Sequence, residues 1–177
     1  LINDGKGKFT NKTASLFPAL LNTGMVSDAE WVDLDSDGQV ELILVGEFMP
    51  ITILGKQKGT WKDVSTVYFD EMQVGLWNEL LVEDLNADGK PDIVVGNQGL
   101  NTQMKASEKE PVTLYHKDFD ENGSVDPVLC FFMQGKSYPF VTRDEMLDQV
   151  SMLRTRFPDY KSYANAIIDD IFTQVEM

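Results

Sequence analysis

Short apolar runs separated by polar, Asp- and Gly-rich turns dominate the first 141 residues of the chain. Leu42-Ile-Leu-Val45, Ile93-Val-Val95 and Val128-Leu-Cys-Phe-Phe132 are rich in β-branched and aromatic side chains and bounded by Gly or Pro. Such runs predict buried strands. Glu30-Trp-Val32 and Leu80-Leu-Val82 predict further strands ahead of the first two runs. One unit then reads as strands at 30–33, 41–46, 50–55 and 60–64, and four antiparallel strands make one propeller blade.

After residue 141 the pattern becomes helical. Thr142-Arg-Asp-Glu145 forms a capping box, in which hydroxyl and carboxylate satisfy the first free amides. Met146, Leu147, Val150 and Leu153 follow at helical spacing, and Phe157-Pro158 ends the helix. A second helix is predicted from roughly Asp159 to Phe172, with Tyr160, Tyr163, Ala164, Ile167, Ile168 and Ile171 as its apolar side. Stripes of this kind are core far more often than ligand surface. The pair is expected to pack against the last blade, or to form an insertion whose return strand lies beyond Met177.

Two elements repeat at nearly one spacing. Gly7-Lys-Phe9-Thr-Asn-Lys-Thr13 aligns with Gly59-Thr-Trp61-Lys-Asp-Val-Ser65 at an offset of 52, and Asp33 aligns with Asp84 at 51. Units of about 40–50 residues fall in the propeller-blade range. The glycine before Phe9 or Trp61 predicts a hairpin turn, and the aromatic is expected between neighbouring blades. A third copy of the Asp motif begins only 34 residues after the second. Either the second blade is shortened, or this loop sits at a different corner of its blade. Asn97–Pro111 is polar and Lys/Glu-rich, and reads as an exposed excursion.

The repeated motif carries the chemistry. Its copies are Asp33-Leu-Asp35-Ser-Asp37-Gly38-Gln-Val-Glu41, Asp84-Leu-Asn86-Ala-Asp88-Gly89-Lys-Pro-Asp92 and Asp118-Phe-Asp120-Glu-Asn122-Gly123-Ser-Val-Asp126. Oxygen-bearing side chains at positions one, three, five and nine converge if the backbone curls, and glycine at position six permits that curl. A many-oxygen shell of this type suits Ca²⁺. An EF-hand would need a Glu at position twelve, where the chain has Leu44, Val95 and Leu129. Strands on both sides of each loop also argue against a dockerin-like helical arrangement. A single such motif reads equally well as a solvated acidic turn; three with matched closing carboxylates point to metal. The third is the weakest case, because its hairpin can be held without an ion.

A net charge of −14 over 177 residues excludes the basic face that nucleic acid requires. Ten of the 29 acidic residues fall at the proposed ligand positions, so three divalent ions would bring −14 to −8. Much of the acidity therefore has a local explanation. The length suffices for one ordinary domain with a real core. Cys130 is the only cysteine, which excludes an intrachain disulfide, and its apolar surroundings predict a buried structural thiol. His116, the only histidine, has no nearby partners for a catalytic set. No membrane span or signal peptide is read. The opening Leu1-Ile-Asn-Asp reads as the middle of a repeat, so a fragment of a longer protein is expected.

The segments 31–46 and 85–97 resemble FG-GAP/VCBS repeats, and Asn3-Asp-Gly-Lys-Gly-Lys-Phe9 resembles the strand-turn ending of such a repeat. The resemblance covers roughly residues 1–133. Gly99-Leu-Asn-Thr102, the stretch 117–126 and Tyr138-Pro with Arg143-Asp-Glu further resemble bacterial members related to the UnbV and cartilage acidic protein group. The resemblance implies a β-propeller, often seven-bladed, with calcium in hairpin loops as in integrin α-subunit heads. It implies as ligands Asp33, Asp35, Asp37, the Gln39 carbonyl and Glu41; then Asp84, Asn86, Asp88, the Lys90 carbonyl and Asp92; then Asp118, Asp120, Asn122, the Ser124 carbonyl and Asp126. The chain is too short for seven blades, which leaves an open run of two to three blades or an assembly between chains.

The expectation is a mainly β, partial or fragmentary β-propeller of four-stranded antiparallel blades with a C-terminal helical pair. Residues 1–141 are read as blades with three calcium loops and 142–177 as a helical appendage. The expected function is a non-enzymatic module binding up to three Ca²⁺ in an extracellular, periplasmic or cell-surface protein, with a protein or glycan as partner. The alternative is the propeller portion of a carbohydrate-active enzyme, for which Asp63, Glu71, Glu79 or Asp148 would have to act, though they form no recognisable constellation. A third reading makes 143–172 a partner-docking helical piece.

Overall fold

The computed structural model describes residues 1–173. Two compact units divide the chain, Leu1–Gln98 and Gly99–Met177. The fold is mainly β in several antiparallel sheets.

The first unit opens with a small hairpin, β1 (Ile2–Asn3) against β2 (Phe9–Thr10). A helical turn α1 (Thr13–Leu16) and a 3₁₀ segment (Pro18–Asn22) lead to β3 (Met25–Val32), β4 (Glu41–Pro50), β5 (Thr52–Gln57) and β6 (Thr60–Asp63). These four strands pair consecutively and antiparallel. The helical turn α2 (Ser65–Tyr68) leads on to β7 (Val74–Glu83) and β8 (Asp92–Asn97), which form the next pair. The far end of β4 bonds to β7 in the register Met49↔Gly75. Asp28 on β3 strengthens that junction by accepting the Leu80 amide at 2.9 Å.

Burial explains why 42–45 is continuously apolar. Leu42 and Leu44 join Met49 and Leu54 on one face, while Ile43 and Val45 join Ile51 and Ile53 on the other. Leu80, Val82, Ile93 and Val95 of β7 and β8 cover the second face. The first is covered by Leu20 and Trp61. Phe17 stacks on Trp61 at 5.2 Å and Trp31 meets both edge-on. Trp61 therefore packs on its own sheet, and Phe9 is exposed. Lys58 and Gly59 both take positive φ between Gln57 and Thr60, the twist a two-residue hairpin needs. The offset of 52 persists: Asn11 accepts the Thr13 amide as Asp63 accepts that of Ser65, each opening a helical turn.

The second unit holds β9 (Thr113–Lys117), β10 (Asp126–Met133) and β11 (Lys136–Pro139), a three-stranded antiparallel sheet. Residues 98–112 form turns and bends and are mostly exposed, as the polar composition predicts. The third Asp loop joins β9 to β10, the same corner that the first two loops occupy. Among the described residues the polar 98–112 stretch supplies no strand, so no third or fourth strand follows β8 before β9. Strands β3–β6 pair in chain order, and β7 and β8 extend the same six-stranded sheet through the β4–β7 pairing. Among the described residues no sheet closes into a propeller.

Four short segments replace the expected helical pair: α3 (Arg143–Gln149), a 3₁₀ turn (Ser151–Thr155), α4 (Tyr160–Tyr163) and α5 (Ile168–Ile171). The capping box at Thr142 and Glu145 is present, and Met146, Leu147, Val150 and Leu153 are buried as predicted. The single helix expected over 159–172 is a correction. Ile167 is extended (φ −85°, ψ 168°) and splits it. Adjacent β-branched Ile167-Ile168 and Asn165 weaken the helix there. The split buries Ala166 and Phe172 and leaves Ala164 and Tyr160 exposed. Arg143 and Arg156 donate to the carbonyls of Phe157 and Ile171, satisfying the ends of these segments.

The helical segments share one core with the third-loop sheet, since Val128 and Cys130 pack with Met146, Leu147 and Val150. The sequence changes character at 141/142, whereas the compact units part between Gln98 and Gly99. Residues 174–177 of the expected appendage lie outside the described residues.

Candidate metal centre

All three Asp loops are built on one hydrogen-bonded frame. In the first, Gly38 donates to Asp33 Oδ2 at 2.9 Å, Asp37 to Asp33 Oδ1 at 3.1 Å, and Gln39 to Asp37 Oδ1 at 2.7 Å. The Leu34 amide donates to Glu41 Oε2 at 3.0 Å. The second loop repeats this with Gly89 and Asp88 on Asp84, Lys90 on Asp88, and Leu85 on Asp92. In the third, Gly123 and Asn122 donate to Asp118, Ser124 to Asn122, and Phe119 to Asp126. Position one thus orients the curl, and the position-nine carboxylate ties its start to the next strand. Gln39, Lys90 and Ser124, expected for their carbonyls, are placed by amide bonds to position five.

The curl uses two left-handed residues. Glycine at position six is one, with φ of 86°, 84° and 89° at Gly38, Gly89 and Gly123. Position four is the other, and it was not foreseen: Ser36, Ala87 and Glu121 have φ of 62°, 61° and 57°. None of the three residue types favours αL, so the sequence carried no signal for it.

The loops differ in how closely they gather charge. Carboxylate oxygens of Asp33, Asp35 and Asp37 lie within 4.8 Å of one another, as do those of Asp118, Asp120 and Asp126. Among the described residues Asp84, Asp88 and Asp92 form no such trio. Asn86 accepts the Asp88 amide at 2.8 Å and donates to Asp88 Oδ2 at 3.3 Å, so this loop is partly satisfied by itself. Glu41 at 6% and Asp126 at 3% exposure carry their carboxylates into the protein.

The third loop, weakest on sequence, has the strongest geometry. Asp120 Oδ1 is buried and has no hydrogen-bond partner. An acceptor withdrawn from water without a donor is costly. Here it sits in a carboxylate trio with Asp118 and Asp126, and a hard divalent cation would satisfy it while cancelling the repulsion. The residues present therefore fit calcium. Around the first loop, Asp35, Asp37, Gln39 and Glu41 line an open cleft with Lys56, Gln57 and Tyr68. Burial pushes the Tyr68 phenol up, with the carboxylates of Glu41, Asp35, Asp37 and Asp33 adding to it.

Residues 33–95 match the family model of the FG-GAP-like repeat. That span contains the first two loops and the strands between them, so the chain carries an FG-GAP-like repeat. It does not reach 99–145, where most of the UnbV-like resemblance lies. No curated protein and no solved structure matches the chain.

Proposed function

We propose that this FG-GAP-like repeat chain is a non-enzymatic, calcium-stapled interaction module of an extracellular, periplasmic or cell-surface protein. The observation that carries the reading is the orphaned Asp120 Oδ1 inside a carboxylate trio, on a frame that two other loops repeat. The ion would be held in the first loop by Asp33, Asp35, Asp37 and Glu41 with the Gln39 carbonyl. Asp84, Asn86, Asp88 and Asp92 with the Lys90 carbonyl would hold the second, and Asp118, Asp120, Asn122 and Asp126 with the Ser124 carbonyl the third. Bound calcium supplies positive charge and a coordination shell, and no bond-making step is assigned to it.

The chain's own residues do the rest. Positions one and nine lock the backbone so that the other oxygens converge, and the adjoining strands carry that order into the sheet. Two unit charges about 5 Å apart repel by roughly 3 kcal/mol at an effective dielectric of 20, and by less at the exposed Asp35 and Asp37. Calcium binding is thereby linked to folding. Affinity on the order of 10⁻⁴–10⁻³ M would suffice where calcium is plentiful. The surfaces beside the loops are then free to contact a protein or glycan, in keeping with where FG-GAP repeats occur.

The test is thermal unfolding of chelator-stripped protein across a Ca²⁺ titration, with Mg²⁺ as the control. A melting temperature that climbs with Ca²⁺ and largely ignores Mg²⁺ supports the reading. Indifference to both ions overturns it.

A further inference from the structure

We propose that the third loop is a calcium-operated latch for the C-terminal helical segments of its own unit; this rests on the calcium reading above. Position two of each loop lies between two implied ligands, and its side chain differs between copies. Leu34 is half-buried beside its own sheet and Leu85 is exposed. Phe119 is 8% exposed and belongs to the helical core. Its ring stacks on Phe172 with centroids 4.0 Å apart and planes 19° from parallel. Phe119 also donates its amide to the buried Asp126 at 2.9 Å. The residue that closes the loop thus fixes the backbone from which the Phe172 contact projects.

A second tie leaves the loop on its other side. The carbonyl of Pro127, next to Asp126, accepts from Gln149 Nε2 at 3.0 Å, at the end of α3. Val128, one residue further, is fully buried against the same helices. Residues on both sides of the closing carboxylate therefore hold the helical segments, one by stacking and one by a hydrogen bond. Without the ion, Asp118, Asp120 and Asp126 repel within 4.8 Å, and Asp120 Oδ1 gains solvation only if the loop opens. Opening moves Phe119 and Pro127 together, and α3 and α5 lose their ties to the sheet. The first two loops lack this linkage, so the device belongs to the third alone.

Segment-resolved hydrogen exchange on the full chain tests this, comparing chelator-stripped protein with protein in Ca²⁺ at constant ionic strength. Calcium is expected to slow exchange in 118–126 and 143–172 with one shared midpoint, by up to about 100-fold at 100 times its Kd. Asp120→Asn should abolish the response in 143–172 while 33–41 still responds. Phe119→Leu, which keeps an apolar core residue, should leave the response in 118–126 and reduce that in 159–172. Protection confined to 118–126 in the unaltered protein overturns the latch and leaves the calcium reading standing. An undiminished response of 143–172 in Asp120→Asn also overturns it. Silence of all three loops overturns both.

Discussion

At the scale of single residues, the loops were legible in composition and illegible in one torsion. The Asp/Asn ladder, the glycine and the closing carboxylate could be read directly, because each is a chemical requirement of the curl. The left-handed position four could not, because Ser36, Ala87 and Glu121 have no common chemistry. Their strain is balanced by the amide bonds that follow. Relieving it should therefore stabilise: Ala87→Asn is expected to raise the unfolding free energy by a few tenths to about 1 kcal/mol in urea titrations, since Asn tolerates αL. Gly89→Ala, at φ 84° with open space around it, should cost about 1–2 kcal/mol through torsion alone. Equal effects from both would mean the torsion is unimportant. Cys130 offers a second reading at this scale. Burial pushes its thiol up to about 12, against a hydrogen bond with Ser137 that lowers it. Burial also pushes Tyr163, in the same core, up to about 12. Raised acids stabilise the fold below their unfolded pKa and lose that contribution as pH rises towards the folded value. The second unit should accordingly weaken from about pH 9 to 12, and Cys130 should resist thiol reagents until it does. Rapid labelling at neutral pH in the folded state would contradict this.

At the scale of elements, strand positions transferred well from sequence to structure. The predicted 41–46 and 60–64 lie on β4 (Glu41–Pro50) and β6 (Thr60–Asp63), because period and turn chemistry agree there. The strand expected at 30–33 begins earlier, at Met25, where Met25 and Val26 are too exposed to announce themselves by burial. Helix positions transferred less well. Apolar residues at 160–171 fit a helical stripe, yet the core is reached by splitting it at Ile167, and three-dimensional packing overrides local spacing. What holds such short segments is capping. Thr142 donates to Glu145 and Ser162 bonds Asp159, and these hydrogen bonds hold the Glu145 and Asp159 carboxyls below their ordinary range. A depressed carboxylate contributes stability above its unfolded pKa and loses it as pH falls through the folded value. Helical protection in 143–163 should therefore fade from about pH 5 downward, and Glu145→Gln should flatten that acid dependence. An unchanged profile in the variant would show that the box does not set it. Of the two four-residue segments, α4 has a side-chain N-cap in Asp159, whereas α5 has none and is held by Ile168 and Ile171 in the core.

For the whole molecule the question is whether its acidity acts as a diffuse field or as discrete sites. A charge of −14 spread evenly would repel over long distances, and salt would relieve it. Ten of the acidic residues instead occupy the proposed ligand positions of three loops, and two of those loops hold carboxylates within 4.8 Å. Screening at 0.1 M salt reaches about 10 Å, so such salt barely touches charges that close, whereas at about 3 Å in 1 M salt it weakens the exposed pairs and leaves the buried ones. A chelated divalent ion would act at that very range and would also satisfy the unpartnered Asp120 Oδ1, which sodium chloride would leave unpaired. Two titrations of the stripped protein separate these cases. Raising sodium chloride from about 0.1 to 1 M should lift the melting temperature only in part, because it screens long-range and exposed pairs but not the buried carboxylates. Calcium at fixed ionic strength should lift it further, by a free energy approaching 2.7 kcal/mol for each site at 100 times its Kd. If molar salt matches saturating calcium, the carboxylates act as a diffuse field and the loops are acidic turns. If calcium exceeds it, the sites are discrete, and the loop frame shared by Asp33, Asp84 and Asp118 is the reason the chain carries so much negative charge.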